Sequence, residues 1–258
     1  MTIAPRGDAF GHGRAVAHLV PPRAGPDDVR WVRRRLDDLV SGSVEARLEL
    51  MVPPPTAAFS GRDARRPGYP AARRVLLERG FVPMVRPVGG HLAIYDEGAL
   101  VIHLMAPHRA PREHVRERFA AFSEVLADGL RDLGVDARVG PVPGEYCDGE
   151  FSVSDAGRAK LVGVGQRIVR AGYLLSAVVS IGPVDRVRAA LAVGYDELGL
   201  DLRPETVGSV MDTVPGVDVH QVRSALLARL RGLLPVGSPQ TVGLPDAPVA
   251  LVTPLFAV

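Results

Sequence analysis

Gly144-Glu145-Tyr146-Cys147-Asp148-Gly149, then Phe151-Ser152-Val153, then Gly157-Arg158-Ala159-Lys160-Leu161-Val162-Gly163-Val164-Gly165-Gln166-Arg167, is the stretch from which the rest of the chain is read. It contains the only cysteine. Of 31 lysine plus arginine residues, only Lys160 is a lysine. An ammonium is compact and can point at one atom, whereas a guanidinium is larger and planar, so the two are not interchangeable. A thiolate is a strong nucleophile, and its population rises beside a cation. A loop carrying Cys147 and an apolar strand headed by Lys160 therefore read as two halves of one acyl-transfer site. The thiolate would attack a carbonyl, and the ammonium would stabilise the oxyanion while lowering the thiol pKa. The competing reading makes Cys147 a small buried hydrophobe and Lys160 incidental. Gly163 and Gly165 alternate along the strand and keep one of its faces clear for a ligand.

Upstream lies Val85-Arg86-Pro87-Val88-Gly89-Gly90-His91-Leu92-Ala93-Ile94-Tyr95-Asp96-Glu97-Gly98-Ala99-Leu100. Paired glycines between strands remove Cβ bulk and expose backbone amides. That suits a narrow acyl channel or a phosphate nest, with Arg86 supplying a guanidinium; it also suits a plain hairpin. Asp96-Glu97-Gly98 reads as a turn. His12, His18, His103, His108 and His114 lack a metal-ligand spacing. His103, between Ile102 and Leu104 in a strand, fits one end of a cleft, although a surface or core histidine is the simpler reading. No GxxxxGK[ST], GxGxxG or HExxH motif occurs.

The composition sets the outer limits. The 258 residues are 47% hydrophobic and 23% charged with a net charge of +2, ordinary globular values. Few aromatics and no aromatic-interleaved basic cluster argue against nucleic-acid binding. One cysteine forbids an internal disulfide and a cysteine-based zinc site. The start lacks a signal-peptide apolar run, and no membrane-length apolar run follows. The expectation is a soluble cytoplasmic protein with no membrane or nucleic-acid partner and no metal.

Periodicity predicts strands over 15–20, 44–52, 81–86, 92–95, 99–105, 135–139, 151–153, 159–166 and 173–181. The strands over 81–105 read as an antiparallel meander. Helices are predicted over 27–40 with Asp27-Asp28 as caps, 70–80, 111–133, from 183, from 204, and over 217–234 capped by Asp218. Residues 57–59 read as a short apolar run, and those beyond 235 as an extended tail. The fold class is α/β (α+β), with one central mixed, largely antiparallel sheet flanked by helices. A single catalytic domain is expected over 1–258, with 200–258 as a helical appendage and tail.

In combination these motifs resemble the lipoate/biotin protein ligase superfamily, in the branch holding lipoate–protein ligases and cysteine-dependent octanoyl or lipoyl transferases. Pro55-Thr56 with Gly61-Arg62-Asp63, Arg86 with Gly89-Gly90, Asp96, Gly98 and Leu100, and Tyr146-Cys147-Asp148-Gly149 with Gly157, Lys160, Gly163, Gln166 and Arg167 carry the resemblance, in order, across about 43–182. The pattern is most similar to the amidotransferase type, which moves octanoyl or lipoyl groups between the glycine cleavage H protein and E2 subunits of 2-oxoacid dehydrogenases. The resemblance implies a class II synthetase/biotin ligase-like core. It implies Cys147 and Lys160 as catalytic residues, and Arg86, Gly89, Gly90, His91, Asp96, Tyr146, Gly163 and Gln166 as substrate-binding residues. Transfer would need no cofactor. The alternatives are an ATP- and Mg-dependent ligase forming a lipoyl-adenylate, and a non-catalytic acyl- or cofactor-binding protein. Val88, His91, Val101, Ile102 and His103 depart from the family pattern at positions expected to line the pocket.

Overall fold

The computed structural model describes residues 7–11, 15–23, 25–42 and 45–234. His12 and the tail read from 235 onward lie outside them. The elements in chain order are α1 (Gly7–Phe10), β1 (Ala15–Leu19), α2 (Gly25–Val40), β2 (Ala46–Met51), β3 (Thr56–Phe59), α3 (Tyr69–Glu78), β4 (Val82–Val85), β5 (Ala93–Tyr95), β6 (Ala99–Pro107), α4 (Val115–Arg131), β7 (Ala137–Val139), β8 (Val153–Asp155), β9 (Ala159–Val169), β10 (Gly172–Ser180), α5 (Asp185–Leu198), α6 (Val210–Thr213) and α7 (Val219–Leu230).

Seven strands form a main sheet in the order β1-β2-β6-β10-β9-β8-β7. Only the β1–β2 pair is parallel, so the sheet is mixed and largely antiparallel, as expected. Its interior strand β6 is apolar at nearly every position because both of its faces are covered. Leu100, Ile102, Leu104 and Ala106 face a core shared with Phe122 and Leu126 of α4 and Leu226 and Leu230 of α7. Val101 and Met105 face the other side, where α2 contributes Val29, Val32 and Leu36.

The antiparallel meander expected over 81–105 is not what forms. A second sheet has the order β4-β3-β5, with β3 parallel to β4 and antiparallel to β5. The short run Ala57-Ala58-Phe59 is fully buried and becomes its central strand. Pro83 is tolerated because β4 is an edge strand that needs no donor on its outer side. After β5 the chain turns at Asp96-Glu97-Gly98 and enters the main sheet. Gly98 keeps that crossing close: a Cβ there would lie a tight 3.3 Å from the Cα of Gly182.

Two further expectations shift. Helix α2 starts at Gly25, and the Asp28 carboxylate is spent on Arg23 and His103 instead of a cap. Helix α4 starts at Val115 rather than 111, since the Pro111 carbonyl is taken by the Arg118 side chain. By contrast, Asp218 forms a capping box with Gln221 at the start of α7, as its position implied. No helix among the described residues is long and apolar enough to cross a membrane.

Helices α4 and α7 touch through Gly129, where a Cβ would sit 2.8 Å from Leu226 Cδ2. Leu226→Ala opens a cavity at this contact, and the expected loss is about 2–5 kcal/mol. Denaturant unfolding of the variant measures it, and a loss under about 1 kcal/mol would show that the contact is not tightly packed.

Candidate active site

Cys147 sits in the loop between β7 and β8 with a backbone φ of +45°. A non-glycine residue in that region is uncommon, and its occurrence at a functional position signals that the surroundings enforce it. The enforcing groups come from three directions. The Cys147 N–H donates to the Tyr195 hydroxyl at 2.6 Å, and that hydroxyl donates to the Leu92 carbonyl at 3.1 Å. Burial pushes the Tyr195 phenol well above its usual range, so it stays protonated and can do both.

The second direction is Lys160, which is 1% exposed. Its stem is carried into the interior by the apolar strand β9. An ammonium there must find acceptors, since an unpaired buried charge is costly. Nζ donates to the carbonyls of Tyr146 at 2.9 Å and Cys147 at 2.8 Å. It also lies 3.3 Å from Glu145 Oε2 and 4.7 Å from the centre of the Tyr146 ring. The other Glu145 oxygen accepts from Gly149 N–H at 3.1 Å and Ser152 Oγ–H at 2.9 Å. Lysine and glutamate together clasp the loop over 145–152.

The third direction is the segment after β4. Arg86 Nη2 donates to the carbonyls of Gly89 at 3.0 Å and His91 at 2.6 Å, and to Cys147 Sγ at 3.3 Å. The His91 N–H reaches the same sulfur at 3.2 Å. Gly90 lies between them with φ +93°, and a Cβ there would be 2.4 Å from Sγ. The His91 ring turns away and places Nδ1 2.8 Å from Asp63 Oδ1. Asp63 is fully buried, and its other oxygen accepts from the Ser60 N–H. Burial alone would raise the Cys147 thiol pKa. The Arg86 and Lys160 charges and the His91 and Arg86 hydrogen bonds outweigh it and hold the thiol below its ordinary value.

An apolar cleft opens at the sulfur. Arg86, Tyr95, Tyr146, Cys147, Gly163 and His103 are among its lining. A second depression on the other side of Cys147 is lined by Gly89, Gly90, Lys160 and Gln166, among others. The structure thus brings together Cys147, Lys160, Arg86, Gly89, Gly90, Tyr146 and Gly163, with His91 present through its backbone. Gly165 is needed for a protein contact, since a Cβ there would meet Val88 Cγ2 at 2.9 Å. The Gln166 amide is engaged by Arg118 and the Val115 carbonyl.

Asp96 is not brought to the cleft. It accepts from the Gly98 N–H at 3.0 Å and lies 3.8 Å from Arg186, stabilising the turn. Tyr195, Glu145, Asp63 and Asp28 were not singled out from sequence as site residues. Asp63 was visible in Gly61-Arg62-Asp63, whereas nothing local marks Tyr195. Among the described residues no cluster of three His, Cys, Asp or Glu side chains is placed to hold a metal ion.

The model of the "Lipoyl protein ligase A/B catalytic domain" matches residues 18–231. An "octanoyl-[GcvH]:protein N-octanoyltransferase" of Exiguobacterium sp. strain AT1b is 28% identical over 189 residues, covering 68% of this chain and 67% of the relative. A protein of the same name from Geobacillus kaustophilus is 27% identical over 177 residues, covering 69% and 62%. The chain therefore spans about two thirds or less of the length of these relatives. Among solved structures, lipoate-protein ligase A bound with ATP superposes with a TM-score of 0.65 at 17% identity, covering 89% of each chain. The bi-partite lipoate protein ligase of Thermoplasma acidophilum gives 0.65 at 17% identity, covering 91% and 89%. These two share the fold.

The surroundings of the sulfur set its pH behaviour. A lowered thiol pKa makes the thiolate present above that pKa and lost as pH falls through it. Alkylation of Cys147 by iodoacetamide is expected to rise through a midpoint below ~8.5, the free-thiol value. Arg86→Met should move the midpoint up. A native midpoint at or above ~8.5 would contradict the assigned environment.

Proposed function

The chain belongs to the lipoyl protein ligase A/B catalytic-domain family, and we propose that it is an acyltransferase carrying an octanoyl- or lipoyl-class group on Cys147. The supporting observation is the sulfur itself: a partly buried thiol beside Arg86 and Lys160, hydrogen-bonded by the His91 N–H, at the mouth of an apolar cleft. The names of the relatives favour an octanoyl group arriving on a glycine cleavage H protein. A lipoyl domain, such as that of an E2 subunit, is the acceptor.

In the first half-reaction the Cys147 thiolate attacks the acyl carbonyl carbon. A C–S bond forms, and the bond to the donor's lysine nitrogen breaks. That nitrogen leaves as an amine, taking the proton given up by the thiol. In the second half the acceptor lysine's amine attacks the thioester, a C–N bond forms, and the C–S bond breaks. The acceptor nitrogen loses a proton and the thiol is restored. One amide is exchanged for another, so no nucleotide is consumed. Arg86 is the cation at the sulfur, close to where negative charge develops on the carbonyl oxygen. The Lys160 ammonium already donates to two loop carbonyls, so its part is to fix the loop and to lower the thiol pKa. Tyr146 and Gly163 line the acyl cleft.

Incubation with octanoylated H protein should add one octanoyl group to the protein by intact-mass spectrometry. The adduct should be absent in Cys147→Ala, along with transfer to a lipoyl domain. Transfer by Cys147→Ala, accompanied by lipoate-dependent pyrophosphate release from ATP, would contradict this reading and favour an adenylating ligase.

A further inference from the structure

The cleft does not end in a hydrocarbon wall. Its floor is a row of residues paired directly across the main sheet, Gly165 opposite Ser176 and Ser176 opposite His103, with Glu49 beyond the cleft opposite His103. Directly paired residues share a face. Strands are ~4.8 Å apart, so His103 lies about 10 Å from Gly165, which borders both the cleft and the depression beside Cys147. That separation is about the reach of a medium-length acyl chain whose carbonyl is at the sulfur.

At this far end the polar groups are buried and connected. His103 is 6% exposed. Its Nε2 lies 3.2 Å from Asp28 Oδ2, and Asp28 Oδ1 accepts from Arg23 Nε at 2.9 Å. Arg23 Nη2 and Trp31 Nε1 donate to Glu49 Oε2 at 3.0 and 2.9 Å, and Arg47 lies 3.6 Å from Glu49 Oε1. Two carboxylates face two guanidiniums at this end of the cleft. A carboxylate only accepts, which places a hydrogen of His103 on Nε2. Its Nδ1 is buried with no hydrogen-bond partner among the described residues, and leaving such an atom unsatisfied is costly. The neighbouring Ser176 hydroxyl also lines the cleft.

We propose that His103 and Ser176, backed by Asp28, form a polar distal subsite, and that among acyl groups of octanoyl length the cleft prefers one carrying a neutral hydroxyl-class group, able to donate to or accept from Nδ1, at the end remote from its carbonyl. The inference deepens the acyl-transfer reading and rests on it for the position of the carbonyl at Cys147. A terminal methyl would leave Nδ1 unsatisfied. A terminal carboxylate would bring a further negative charge beside the buried Asp28 and Glu49 carboxylates.

Calorimetric binding of octanoate, 8-hydroxyoctanoate and suberate to the full chain tests the subsite without any turnover. A net hydrogen bond of ~1–1.5 kcal/mol corresponds to 8-hydroxyoctanoate binding roughly five- to tenfold tighter than octanoate, with suberate weakest. His103→Leu should abolish that preference. His103→Gln, whose amide can keep a bond to Asp28, should abolish it too and guards against misfolding of the leucine variant. Equal or tighter binding of octanoate, tighter binding of suberate, or a preference that survives both substitutions would overturn the proposal. Transfer from the N-acetylcysteamine thioesters of octanoate and 8-hydroxyoctanoate is read separately. Failure of both thioesters to acylate Cys147 would count against the acyl-transfer reading, while the binding order still decides the subsite.

Discussion

The arrangement depends on one buried cation. Strand β9 is apolar after its first residues, and it draws the Lys160 stem into the core with the ammonium at its end. The charge has to be met there. The acceptors it finds are the carbonyls of Tyr146 and Cys147 and the Glu145 carboxylate. Removing one member of such a buried pair commonly costs ~3–5 kcal/mol, because the other is left uncompensated. The same contacts hold the cysteine loop in a backbone conformation that L-residues rarely adopt, and the sulfur direction follows. An arginine at 160 would present a planar fork to a site that converges on a single atom. This is the physical content of the one lysine in an arginine-rich chain.

The sulfur lies where separate parts of the fold meet. The small sheet supplies Arg86 and the glycine pair, the main sheet supplies Lys160 and Gly163, and α5 supplies Tyr195. Each group is short of room. Gly90 has no space for a Cβ against Sγ, and Gly165 has none against Val88. Such packing keeps the cation-to-sulfur distance short in a partly dry setting, where a charge has more effect than in water. Of the departures from the family pattern, Val88, Val101 and His103 line the cleft, whereas Ile102 faces the core beneath α4 and α7 and the His91 ring turns to Asp63. Val88 is buried and closes one wall, and His103 brings a polar group to the far end.

Much of this was legible in the sequence for local reasons. Alternation and turn glycines give β8 to β10, since hairpins are encoded by neighbours along the chain. Cys147, Lys160, Arg86 and the glycine pair announce themselves by rarity or spacing. What stayed hidden depends on distant pairing. Nothing near Ala57-Ala58-Phe59 says that it will sit between β4 and β5, and the meander reading failed for that reason. Asp28 looked like a helix cap because capping is what an aspartate does locally; its partner His103 is 75 residues away. Tyr195 reads as one more core residue of an amphipathic helix until its hydroxyl is seen to hold the Cys147 amide. Asp96, which the resemblance placed among the ligand-binding residues, accepts from the Gly98 N–H within its own turn.

The central claim is that Cys147 is the carrier through which the acyl group passes. The most direct measurement is a single-turnover chase. The protein acylated on Cys147 is isolated with a labelled octanoyl group, then mixed with an unmodified lipoyl domain, without nucleotide. The label is expected to leave the cysteine and appear on the acceptor lysine at least as fast as steady-state turnover. A thioester that persists while transfer proceeds by another route, or a chase that requires ATP, would contradict the account.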